Sequence, residues 1–120
     1  MTYDEIITAM ERGETGRELD AEIHADILGG HVKEMSCGGG VLLVISGLQH
    51  GISKQALPHY TTSLDASVPG EDIDLSYRDL NMRCHAQQAR SLEMGHAPTE
   101  ALARRIAGLK AWKAAQEAGE

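Results

Sequence analysis

The sequence predicts an α+β domain, α-helices packed on an antiparallel β-sheet in a helix–sheet–helix order. Three observations carry that reading. Apolar residues recur at helical spacing at both ends of the chain, as Ile6, Ile7 and Met10, then Leu19, Ile23 and Ile27, and later Leu102, Ile106 and Leu109. The middle instead alternates with period two or runs apolar between glycines. At 120 residues, with no internal repeat or low-complexity linker, the chain is one domain large enough to bury a core.

Residues 1–30 form the helical N-terminal part. Thr2 with Glu5 makes a capping box ahead of Tyr3, Ile6, Ile7 and Met10, and Arg12–Gly13 ends this helix. Thr15 with Glu18 repeats the signal, and Gly29–Gly30 stops the second helix.

Residues 31–96 form the sheet region. Val32 to Cys37 reads as a weak strand, and Val41 to Ile45, β-branched and flanked by glycines, as a central one. Ile52 to Leu57 returns beside it, with Gly47 to Gly51 as the turn. Leu57–Pro58 ends the extended run, because proline offers no amide to a sheet. Thr61, Thr62 and Ser63 are good N-caps, so a short helix is expected at 62–68, seating Leu64 and Val68 in the core and closed by Pro69–Gly70. Ile73, Leu75 and Tyr77 alternate with polar neighbours, as do Met82, Cys84 and Ala86, which predicts a hairpin turning at Asp79–Leu80–Asn81 with one polar face. A further short strand is placed at Leu92 to Met94.

Residues 97–118 form the last helix, with Pro98 at its first turn and Trp112 as a core plug. The expected core is Leu19, Ile23, Leu43, Ile45, Leu75, Leu102, Ile106 and Leu109.

Eighteen acidic against 11 basic side chains give a formal charge of −7, phenylalanine is absent and aromatics are 3%. Such a surface repels nucleic-acid backbones and offers few stacking platforms, so binding to duplex nucleic acid is not expected. Cys37 and Cys84 are far apart without a paired motif, which fits a reducing cytoplasm, and the longest apolar run is too short to span a bilayer.

No catalytic constellation is recognised. His24, His31, His50, His59, His85 and His96 show none of the paired spacings of metal ligands, so neither a metal site nor a cofactor is expected. Cys84–His85 is a poor nucleophile and base, because adjacent strand residues point to opposite faces. What remains is a basic surface within an acidic chain. Arg78, Arg83 and Arg90, together with Tyr60, Thr61 and Thr62, are the candidate ligand-binding residues, suited to a small phosphorylated ligand.

Gly16–Arg17–Glu18–Leu19–Asp20–Ala21, then Pro58–His59–Tyr60–Thr61–Thr62–Ser63–Leu64–Asp65–Ala66, then Ala97–Pro98–Thr99–Glu100–Ala101–Leu102–Ala103 follow one another in that order. In these motifs the chain resembles a family of small uncharacterised phage and prophage proteins described as the phage ABA-sandwich domain. Pro69 and the long apolar strand Val41 to Ile45 depart from the family's pattern. The resemblance implies a phage-encoded protein at work in the cytoplasm of a bacterial host. In that setting the expected function is non-catalytic binding and sequestration of a small anionic defence signal, a cyclic or ADP-ribose-type nucleotide, in a pocket shared within a homo-oligomer. The alternative is a protein-binding module that inhibits or occupies a host or virion protein.

Overall fold

The structure is a computed structural model that describes residues 1–33, 40–53 and 55–118. In chain order it has α1 (Tyr3–Glu11), α2 (Arg17–Leu28), β1 (His31–Lys33), β2 (Gly40–Ile45), β3 (Leu48–Ser53), β4 (Ile73–Arg78), β5 (Cys84–Gln88), β6 (Met94–Ala97) and α3 (Glu100–Ala118). The strands form two separate antiparallel sheets, ordered β1-β2-β3 and β4-β5-β6. The α+β class therefore holds. The layering differs from helix–sheet–helix: contacts run from the first sheet to α2, to α1, to α3 and to the second sheet, so the helices lie between the sheets.

The N-terminal half follows local rules closely. The Thr2–Glu5 capping box forms with both of its hydrogen bonds, and Gly29 ends α2 in the left-handed conformation that glycine adopts without steric cost. Thr15 does not cap α2. Gly16 takes that place, with its amide donating to Thr61 Oγ1 at 3.1 Å.

The first sheet turns at Ser46–Gly47, both with positive φ, which is the two-residue turn whose twist matches that of its strands. Ile45 therefore pairs with Leu48, and Leu48 to Gly51, expected as the turn, lies in β3. Of the expected strand Val32 to Cys37, residues 34–37 lie outside the described residues, as does Lys54 within Ile52 to Leu57.

The short helix expected at 62–68 is absent; one turn at 59–63 is followed by irregular chain. Its backbone groups are claimed from outside. The Thr61 amide donates to Asp20 Oδ1 at 2.9 Å, the Ser63 carbonyl accepts from Arg105, and the Val68 amide donates to Glu71 Oε2 at 3.0 Å. Val68 is buried as expected, but Leu64 is 54% exposed.

β4 runs from Ile73 to Arg78 as its alternation predicts, yet the face is reversed beyond its first residue. Ile73 pairs with Gln88 and Leu75 with Gln87, so Asp74 is an extra residue that shifts the phase. Ile73 packs on the core, Ser76 points inward to Glu100 (2.9 Å), and Leu75 turns outward at 48% exposure. The last strand begins at Met94, leaving Leu92 in the turn with φ 62°.

The main core gathers Ile6, Met10, Leu19, Ile23, Leu102, Ile106 and Leu109 against Cys84, Ala86 and Ala97. A smaller core joins Ala21 and Ala25 of α2 to Val41, Leu43 and Leu57, with Ile45 half-buried beside it. Trp112 is also only half-buried, so it is not the expected plug. The side chain that does fill the centre of α3 is Arg105, fully buried and ion-paired with Glu71.

Candidate functional site

The start of α2, from Gly16 to Ala21, and the segment from Leu57 to Thr61 dock on one another. Asp20, 1% exposed, accepts from the amide and hydroxyl of Thr61, both at 2.9 Å, and from Arg17 Nη1 at 2.8 Å. Arg17 also donates to the carbonyls of Leu57 and Pro58. One turn along α2, His24 Nδ1 lies 2.9 Å from the Tyr60 hydroxyl. Burial pushes the His24 imidazolium below its ordinary range and the Tyr60 phenol above its own. The Tyr60 and Thr61 hydroxyls are thus occupied within the fold, while Thr62 is exposed.

The three arginines are not gathered. Arg78 pairs across the hairpin with Cys84, and Arg83 stands one residue before it, so these two share the turn end of the second sheet. Arg78 has no ion pair among the described residues, and Arg83 Nη2 reaches only the Glu11 carbonyl at 3.3 Å. Arg90 follows the opposite end of β5 and faces Asp72 at 3.7 Å.

The chemistry that stands out lies on the face of the second sheet turned away from α3. Directly opposed residues share a face, and Tyr77 opposes His85, which opposes His96. The Tyr77 and His85 rings stack with centroids 4.9 Å apart, and the two imidazoles meet edge to face at 4.8 Å. His85 Nε2 lies 2.7 Å from Asp79 Oδ2, and its Nδ1 lies 2.5 Å from His96 Nδ1. That hydrogen bond to His85 holds the Asp79 carboxyl below the usual carboxylate range. Desolvation first, then the His85 and Lys110 charges, holds the His96 imidazolium below its ordinary value. Beside this row runs another, Leu75, Gln87 and Met94. Leu80, Met82 and Leu92 are exposed in the adjoining turns.

Sequence reading missed this cluster because no short motif joins its members. The available signal was register: a hairpin turning near Arg90–Ser91 sets residues 85 and 96 opposite each other, and one turning at Asn81 sets 77 opposite 85.

A recess of about 290 Å³ at the β4 edge is lined by Ser76, Tyr77, Arg78, Cys84 and Glu100. A larger one of about 460 Å³, between α1 and the end of α3, has lysines and carboxylates in near balance and touches none of these groups. Among the described residues, no helix is long and apolar enough to cross a membrane. Comparison with protein-family models, curated proteins and solved structures finds no match for this chain.

Proposed function

We propose that this chain is a non-catalytic binding module that engages another protein through the open face of its second sheet. The supporting observation is Leu75, which the bulge at Asp74 turns outward next to a 47% exposed Tyr77, with Leu80, Met82 and Leu92 in the adjoining turns. Exposed apolar groups along one sheet face and at both of its ends suit a protein contact surface, whereas small ligands are held in concave pockets that bury most of their area. Arg78 and Arg83 at the turn end favour a partner whose apolar patch is bordered by carboxylates. In the phage setting implied by the resemblance, that partner is a host or virion protein in the bacterial cytoplasm, which the chain inhibits or occupies.

Photo-crosslinking from position 75 in cells, compared with position 48 on the other sheet, tests this reading. The expected result is a defined adduct from position 75 alone, with the purified partner binding Leu75→Asp at least about tenfold more weakly. Equal labelling from both positions would discard it. A second reading, sequestration of a cyclic or ADP-ribose-type nucleotide, is favoured by Arg78 and Tyr77, which line one recess and suit a phosphate and a base. The recess there is small, so a second copy would have to close over the ligand; calorimetry against a nucleotide panel separates this reading from the first.

A further inference from the structure

We propose that His85 and His96 together bind a divalent transition ion of the zinc class, with Asp79 as the residue that positions His85. The argument starts from the proton inventory. Asp79 Oδ2, 2.7 Å from His85 Nε2, places the His85 proton on that nitrogen and leaves Nδ1 as a lone pair. That lone pair faces His96 Nδ1 at 2.5 Å, so the neutral pair holds one proton between two nitrogens that are both intrinsic metal ligands. For a metal ion to take that place the proton moves, through solvent, to His96 Nε2, which leaves both imidazoles neutral, each with an Nδ1 lone pair.

With Zn–N bonds of about 2.0–2.1 Å in tetrahedral geometry, the two nitrogens must separate to roughly 3.3 Å. His96, half-buried on the edge strand β6, supplies this separation, since Asp79 and Tyr77 hold His85 in place. A carboxylate on the far nitrogen of a ligating imidazole is the arrangement that fixes its tautomer and raises its basicity. The stacked Tyr77 ring holds the His85 plane. Two imidazoles select zinc, nickel or copper over magnesium or calcium.

No set of three or more ligating side chains is gathered among the described residues. The ion therefore has two protein ligands, and its remaining positions face outward to water or to a donor atom of whatever docks on the face. Glu11 and Asp79 favour the added charge, while Arg83 and Lys110 oppose it.

The test is calorimetric titration of the untagged chain with zinc and, separately, with magnesium near neutral pH, read alongside nitrogen NMR of the imidazoles. The expected result is one zinc per chain, no magnesium binding, and Nδ1 shifts at two histidines only. His85→Ala and His96→Ala each weaken binding at least about tenfold, and Asp79→Asn weakens it roughly 10–100-fold. The double variant His31→Ala/His50→Ala on the first sheet binds as the parent does. Absence of binding at millimolar zinc, or binding that persists when His85 and His96 are both replaced, would overturn the proposal. The NMR of the parent chain decides it even where a variant fails to fold.

Discussion

The two sheets share a topology, three antiparallel strands in sequence order, and differ in how they are covered. α2 touches β1 and β2 but not β3, so Leu48 stays 64% exposed at the edge of the first sheet. α3 lies across all three strands of the second. The more apolar sheet is the less buried one. The reason is side-chain size: the inner face of the second sheet carries Cys84, Ala86, Gly95 and Ala97 against Ala103 and Ala107, so backbone approaches backbone. In the first sheet, Val41 and Leu43 hold α2 at side-chain distance.

The largest expected effect lies where α3 is clamped from behind. Arg105→Met leaves Glu71, 5% exposed, without its cation and is expected to cost about 3–5 kcal/mol in denaturant unfolding. Burial raises the Glu71 carboxyl and lowers the Arg105 guanidinium despite their pairing, so desolvation outweighs attraction and the pair is costly to break without being a large net gain. A loss under about 1 kcal/mol would show that the clamp does not hold the second sheet's helix.

The sheets themselves are compared most directly through glycine. A Cβ on Gly95 would lie 2.0 Å from the Ala103 carbonyl oxygen and 2.7 Å from the Ala107 amide, both backbone. Gly95→Ala should therefore cost about 3 kcal/mol or more, since a strand must move rather than a side chain. Gly51 in β3 has nothing within 4 Å of such a Cβ, so Gly51→Ala should be neutral or stabilise by about 0.5–1 kcal/mol. Similar outcomes for the two variants would break the contrast.

The smallest effect concerns pH and the strap between α2 and residues 57–61. A histidine whose folded-state pKa is lowered binds its proton more readily when unfolded, so its contribution is present above the unfolded value near 6.5 and is lost as pH falls below it. His24 is in this position, through burial. Unfolding measured between pH 7 and 5 should show stability declining with acidity, with a shallower slope in His24→Gln. Glu5 and Glu100, whose pKa values are lowered by hydrogen bonds, act below that window.

Much of the fold was legible wherever a local rule was sufficient. The Thr2 cap, the Gly29 stop, the alternation of β4 and the stripe Leu102, Ile106 and Leu109 all follow from spacing. Misreadings came where distant groups intervened. Thr61, Thr62 and Ser63 are sound N-caps, but Asp20, Arg105 and Glu71 take the backbone groups a helix there would use. Leu75 belongs to an alternating run, but one unpaired residue reverses its face.

The candidate site divides along the same line. The sequence by itself determined the helical stripes and the hairpin strands, because each depends on neighbours within a few positions, and its composition set the acidic net charge. Only the tertiary structure decided that Arg17 and Asp20 bind residues 57–61, that a buried arginine clamps the last helix, and that Tyr77, His85 and His96 form one row. The first two join residues some 34 to 41 positions apart, and the last follows from strand register, where a shift of one residue exchanges the inside of a sheet for its outside.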